Sequence, residues 1–112
     1  MPKFLVKASY TVEGMKGLYK DKASGREKAV ATACRSLGGT LDAMYFALGE
    51  DDVFVIVDLP SHVHAARLGA AVGASGSVKS QTVPLLTVAE TDEALGGAIT
   101  YRPPGAAARG KS

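Results

Sequence analysis

The chain has 112 residues, of which 46% are hydrophobic, and this length is typical of one domain with its own core. The 13 basic and 11 acidic residues leave a formal net charge of +2, which argues against a nucleic-acid binder, and no apolar run approaches the roughly 18 residues of a membrane span. A single cysteine, Cys34, excludes an internal disulfide, and residues 1–7 lack the apolar run of a signal peptide, so we expect a cytoplasmic protein.

The first third of the chain predicts a strand and a helix. Residues 3–10 alternate between two sets of side chains, as a half-buried strand does. Thr11 can cap a short helical turn, after which we expect a loop to Lys22. A capping box at Ser24–Glu27 then predicts a helix to about Leu37, whose apolar face turns the cysteine inward.

An acidic turn separates two apolar strands in the middle of the chain. Residues 40–48 predict one strand, Gly49–Asp51 a tight turn, and residues 52–59 an antiparallel return strand that stops at Pro60. Leu41, Ala43 and Tyr45 should share one face of the first of these strands. Because both faces of both strands are mostly apolar, both must be covered, which is typical of central strands.

The last third predicts a helix, an edge strand and a second, short helix. Ser61 caps a helix rich in Ala and Gly, whose small side chains should allow close packing on the sheet. Residues 77–86 predict a strand that Pro84 restricts to a sheet edge. A capping box at Thr87–Glu90 begins the short helix.

The order of these elements predicts an α+β fold. It is the β-α-β-β-α-β order of ferredoxin-like folds with a short carboxy-terminal helix. We expect one domain over residues 1–98 and an extended tail rich in Pro, Gly and Ala over residues 99–112. Because both helices cross on one side of the antiparallel sheet, the other face is open, and its apolar side chains predict dimerisation by sheet stacking, as in dimeric α+β barrels.

Motifs along nearly the whole chain resemble the GYD domain family. They are Lys3–Thr11, Glu13–Leu18, Ser36–Gly39, Tyr45–Gly49, Asp52–Val53, Pro84–Thr87 and Tyr101–Pro104. The family is named for a Gly-x-Tyr-Asp turn; Gly49 and Asp52 match it, and Asp51 stands where Tyr is usual. The resemblance implies this fold and a self-associating assembly in small bacterial and archaeal proteins, without implying a particular reaction. The turn also looks like a hairpin in ligand domains of Lrp/AsnC-type regulators, whose effectors sit at subunit interfaces.

Clusters that could bind a metal have a simpler explanation. Glu50, Asp51 and Asp52 offer three carboxylates to a hard cation, but side chains on an extended chain alternate, and we interpret the cluster as a solvated turn. His62 and His64 do not share a helical face and lack further ligands nearby. Since dinucleotide, phosphate-loop and zinc motifs are also missing from the sequence, we expect no metal and no cofactor.

Polar side chains near strand ends are the candidate ligand-binding residues. They are Lys7, Tyr10, Tyr45, Asp52 and Arg102, which we expect around one cleft. The favoured hypothesis is an oligomeric module that binds a small anionic or apolar metabolite between subunits, with Lys7 or Arg102 meeting its charge, or that binds a protein partner. Neither nucleic acid nor membrane is expected as a partner.

Two alternatives remain open, and no residue is assigned a catalytic role. One is a cofactor-independent enzyme of the dimeric α+β barrel type, with Tyr or His as acid and base. The other is a structural subunit that docks on a partner through its carboxy-terminal tail.

Overall fold

Seven elements follow one another along residues 1–106, the part of the chain that the computed structural model describes. The strands are β1 (Lys3–Tyr10), β2 (Thr40–Phe46), β3 (Val53–Asp58) and β4 (Val78–Leu85). The helices are α1 (Val12–Ser36), α2 (His62–Ala74) and α3 (Val88–Gly96). This order and the antiparallel pairing of the strands confirm the predicted α+β fold. The tail expected over 99–112 extends beyond the described residues at position 107.

The four strands form one sheet in the order β2-β3-β1-β4, so β3 and β1 are internal and β4, which contains Pro84, is an edge. Residues paired across the strands share a face. Val6 pairs with Val55 and Thr82 on the face covered by α1 and α2, which we call the helix face. Leu5 pairs with Ile56 and Val83 on the other, which we call the open face.

The hydrophobic core lies between the helix face and the two helices. Within the described residues it consists of Phe4, Ala8, Cys34, Val53, Val55, Val57, Leu59 and Ala65. Burial in these apolar surroundings raises the pKa of the Cys34 thiol, as expected for a cysteine that serves packing. The core is small because α1 packs mainly on β2 and α2 on β4, toward opposite edges of the sheet.

Helix α1 corrects the prediction of a loop before Lys22, but it does break at Lys22, after which a second helical segment runs to Ser36 as predicted. The helix begins directly after Thr11, whose hydroxyl accepts a hydrogen bond from the Gly14 amide at 3.2 Å. It continues to Ser36 with one interruption, at Lys22, where φ is 65° and ψ is 168°. The cap and the tertiary packing at Gly14 therefore outweigh the weak helix propensity of residues 12–21, and the predicted break remains at Lys22 as a kink.

Strand β2 contains a bulge that the alternation of its side chains does not show. The register shifts between Leu41 and Ala43, so Leu41 pairs with Val57 on the helix face, whereas Ala43 pairs with Ile56 on the open face. The prediction that Leu41, Ala43 and Tyr45 share one face is therefore wrong. The ammonium of Lys3 contacts Asp42 at 3.1 Å, at the position of the extra residue.

The other helices begin at the predicted caps. Ser61 caps α2, and the reciprocal capping box of Thr87 and Glu90 begins α3. Hydrogen bonds from the Thr87 amide, and then its side chain, hold the pKa of Glu90 below its ordinary value of 4.5. Across residues 1–106, none of the helices combines the length and the apolarity needed to cross a membrane.

Candidate functional site

A cavity of about 460 Å³ lies between the helix face of the sheet and helices α1 and α2. Apolar side chains of β1, β2 and β3 form most of its floor, and β4 adds the hydroxyls of Ser80 and Thr82. The apolar residues of the floor are Val6, Ala8, Met44, Val53, Val55 and Val57. Its walls come from small and aliphatic residues of the two helices, which include Gly17, Ala29, Ala33, Leu68, Gly69 and Val72. The lining is therefore mainly apolar.

The cavity exists because the two helices lean toward opposite edges and carry small side chains above the centre of the sheet. A Cβ atom added at Gly17 would meet no atom within 4 Å, and one at Gly69 would only approach the Thr82 hydroxyl at 4.0 Å. The prediction that the small residues of α2 allow close packing therefore holds only along β4. Over β1 and β3 the same residues leave space.

Polar groups lie at the border of the cavity. Asp21 and Arg26 form an ion pair at 3.7 Å, with side chains 49% and 32% exposed, on either side of the kink in α1. Tyr10 and Glu13 line the cavity near the start of the same helix. Among residues 1–106, no polar or charged residue is buried. A bound molecule would thus contact apolar groups inside and polar groups at the mouth.

Two of the predicted site residues, Tyr10 and Asp52, lie together. Tyr10 lines the cavity, and its backbone amide donates a hydrogen bond of 2.8 Å to a carboxylate oxygen of Asp52. The Asp52 amide in turn donates to the Ala8 carbonyl at 2.8 Å. Asp52 therefore joins the turn between β2 and β3 to the end of β1, and it supports the position of Tyr10 through the backbone. Gly49 lies in that turn, with open space where a Cβ would be.

The remaining predicted site residues lie elsewhere. Lys7 and Tyr45 are on the open face, where each pairs with Phe54, which separates them. Arg102 follows α3, and its guanidinium donates to the carbonyl of Ala106. The five residues thus do not surround a single cleft, because Lys7 and Tyr45 lie on the opposite face of the sheet from Tyr10.

The histidines and the acidic turn have partners within the fold. The ring of His62 packs edge-on against Phe4, with 5.4 Å between ring centroids, and a ring nitrogen of His64 lies 2.7 Å from the Ser61 hydroxyl. In the turn, the Asp52 carboxylate accepts the hydrogen bond from the Tyr10 backbone amide. Over the described part of the chain, no three His, Cys, Asp or Glu side chains converge as metal ligands would.

The open face carries a continuous apolar row across all four strands. It consists of Ala43, Ile56, Leu5 and Val83, all half-buried within one chain. The next row contains Tyr45, which is 70% exposed, beside Phe54 and Lys7. These rows form an apolar patch with one cation near its centre.

A four-stranded antiparallel sheet with helices on one face, a cavity beneath them and an apolar open face defines an α+β domain of the ferredoxin-like class. The sequence model of the GYD domain matches residues 4–95. The chain therefore belongs to the GYD domain family, which confirms the resemblance seen in its motifs. No curated protein and no solved structure matches the chain.

Proposed function

We propose that this protein binds a small, largely apolar molecule in the cavity between the sheet and helices α1 and α2. The observation that carries the proposal is the cavity itself: its volume of about 460 Å³ falls in the range of ligand sites, and its floor is mostly aliphatic. Burial of apolar ligand surface there contributes roughly 25 cal/mol per Å² removed from water. The chemistry of the floor therefore favours an apolar body over a strongly polar one.

The border residues favour a ligand with one polar end. The Arg26 guanidinium and the Asp21 carboxylate are both partly exposed and reach the cavity from one side of α1. The Tyr10 side chain lies near the other end of that wall. A molecule with an apolar body and a single carboxylate or hydroxyl can place the body on the valines and the polar end at Arg26.

Cavity binding can be tested with anilinonaphthalene sulfonate, a fluorescent probe that has an apolar body and one anionic end. Ala33→Phe fills part of the cavity, whereas Ala66→Phe adds the same ring at an exposed position of α2. We expect Ala33→Phe to weaken probe binding at least tenfold and Ala66→Phe to leave it unchanged. Unaltered binding in Ala33→Phe, combined with loss in the open-face variant Ile56→Lys, would place the probe outside the cavity and contradict the proposal.

We also propose that copies of the chain associate through the open face. The apolar row through Leu5, Ile56 and Val83 supports this, because stacking two such faces removes several aliphatic side chains from water. Ile56→Lys places a charge in the apolar row and should lower the mass measured by light scattering at about 10 μM, because the open-face contact is lost. Val63→Lys, which replaces an apolar residue that is 65% exposed on α2, is the matched control and should not change the mass. A wild-type monomer at this concentration would refute the proposal.

An interface on this face would enclose Lys7, and this supports the further proposal of an anionic group between subunits. Lys7 lies between Phe54 and Gln81 in the sheet, and a carboxylate or phosphate at its ammonium would offset the cost of burying its charge. Native mass spectrometry of freshly purified protein reports stoichiometry and retained small molecules together. A retained anion that is lost in Lys7→Met is the expected result.

A further inference from the structure

The carboxy-terminal part of the chain exposes apolar side chains along its whole length. Every residue from 86 to 105 is exposed. The molecule is also elongated, with extents of 63, 30 and 23 Å along its three axes. We call residues 86–101 the arm. Its large exposed apolar residues are Leu86, Val88, Leu95, Ile99 and Tyr101, each at least 64% exposed. Within α3, Val88 and Leu95 are seven positions apart and therefore lie on the same side of the helix.

A second exposed apolar surface lies at the first half of α1. Met15, Leu18 and Tyr19 follow helical spacing on one side, and Phe46 at the end of β2 completes a groove of about 260 Å³. We call this surface the groove. Tyr19 is 75% exposed and Phe46 is 40% exposed. An amphipathic helix that places two aliphatic side chains seven positions apart is a typical occupant of such a groove.

Within one chain, Val88 at the start of α3 cannot reach the groove. The arm leaves β4 at Leu85, whereas Phe46 lies on β2, the opposite edge strand. Following the paired residues across the sheet from Phe46 leads to Ser80 of β4. Three strand spacings of about 4.8 Å and five residues of about 3.4 Å separate the two positions, a diagonal of roughly 22 Å. Val88 is three residues beyond Leu85 and can move at most about 10 Å from it. Val88 can therefore enter only the groove of a second copy.

The charges of the two surfaces are opposite. Helix α3 carries three acidic residues and no basic residue, namely Glu90, Asp92 and Glu93. Lys22 lines the groove, and Lys16 and Lys20 are exposed on the same helix, where Lys16 contacts the Glu13 carboxylate at 3.7 Å. Asp92 lies on the same side of α3 as Val88, one turn further along, so it can face these lysines when Val88 and Leu95 enter the groove. Complementary charge favours the encounter and sets the direction of the helix.

We propose that α3 of one copy of this protein lies in the groove of a second copy, with Val88 and Leu95 inserted between Tyr19 and Phe46. If each copy places its α3 in the groove of the other, the two equivalent contacts form a closed symmetric dimer. The exchange uses neither the cavity nor the open face. It therefore goes beyond the proposed ligand binding and is independent of sheet stacking.

The test is disulfide formation between two single variants of the full chain. Leu95→Cys and Tyr19→Cys proteins, one with a mass tag, are mixed and oxidised, while the native cysteine stays buried. We expect a mixed disulfide dimer with at least ten times the yield obtained when Val63→Cys replaces Tyr19→Cys. Val63 is a matched control because it is 65% exposed on α2, away from the groove residues.

Three results would overturn the proposal. The first is a yield no higher than that of the Val63→Cys control. The second is an intrachain disulfide in the monomeric protein that carries both Leu95→Cys and Tyr19→Cys, which would show that the arm folds back on its own groove. The third is loss of the mixed dimer in an Ile56→Lys background, which would make the arm contact a consequence of sheet stacking. Retention of the mixed dimer in that background is expected and separates arm exchange from open-face association.

Discussion

Substitution of Gly14 by alanine should destabilise the protein strongly, although alanine is the better helix former. A Cβ atom at Gly14 would overlap the carbonyl oxygen of Ser77 and would lie 2.9 Å from the Ser77 carbonyl carbon and 3.1 Å from Cδ1 of Tyr10. Two of these atoms belong to the backbone, so no change of rotamer relieves the overlap. The Ser77 carbonyl also accepts a hydrogen bond of 3.0 Å from the Thr11 amide, which holds the start of α1.

The magnitude follows from three contributions. Overpacking against backbone costs about 3 kcal/mol, at the upper end for such changes. Loss of the hydrogen bond to Ser77 costs about 1 kcal/mol. Helix propensity returns about 1 kcal/mol. The sum is a destabilisation of roughly 3 kcal/mol, which for a chain of this size lowers the midpoint of thermal unfolding by about 12 °C.

The matched control is Gly17→Ala, one turn further along the same helix. A Cβ there would meet nothing within 4 Å, so only helix propensity changes, and the midpoint should rise by about 4 °C. Thermal unfolding followed by circular dichroism measures both variants. If the two substitutions shift the midpoint in the same direction, α1 does not approach Ser77 as described and the reasoning fails.

Further predictions concern single residues. Lys22→Gly should raise the free energy of unfolding by about 1 kcal/mol, since glycine adopts φ 65° and ψ 168° with less strain. Lys20→Gly, in regular helix, should lower it by a similar amount. If urea unfolding shows that both variants change the free energy in the same direction, the kink at Lys22 is contradicted. Asp52→Ala should cost about 1.5–3 kcal/mol, because the bond to the Tyr10 amide is lost, and Asp52→Asn less. The Glu90 carboxylate should cap α3 fully above pH 4.5 and release it as pH falls through its lowered pKa; amide NMR shifts that stay constant through this acid range would argue against the cap.

The order of elements could be predicted because local signals agree with tertiary structure. Val53, Val55 and Val57 alternate with Phe54 and Ile56, and this alternation places β3 inside the sheet. The caps of α2 and α3 are determined by side chains within three residues of each helix start. These features depend on neighbours in sequence, so they are visible without coordinates.

The cavity could not be predicted, because it depends on where two helices lean rather than on what each contains. The Ala and Gly residues of α2 are compatible with close packing or with a gap, and only the packing of α2 on β4 decides between them. The bulge in β2 was likewise hidden, since Leu41 and Ala43 are both apolar and either register places an apolar residue on each face. Where the side chains are small, the local sequence therefore does not determine the packing, and tertiary contacts do.

The sequence partly predicts where in the fold the candidate site residues lie. Lys7 and Tyr10 are three positions apart on one strand, and alternation alone places them on opposite faces. The alternation of side chains does not predict that Tyr10 and Asp52 are in contact. They are in contact because the Tyr10 backbone amide, at the end of β1, needs a hydrogen-bond acceptor where the pairing with β3 ends. Arg102 lies beyond the last element that packs on the sheet, so no local pattern could position it.

The bulge in β2 marks a point where this fold can tolerate a change in chain length. The Lys3 ammonium bridges the Asp58 carboxylate of β3 at 3.0 Å and Asp42, the extra residue of β2, at 3.1 Å. Deletion of Asp42 would leave Leu41 opposite Val57 and Ala43 opposite Ile56, so the register shift disappears while both residues keep their faces. A single-codon deletion at this point therefore removes the ion pair between Asp42 and Lys3 but changes neither the helix face nor the open face.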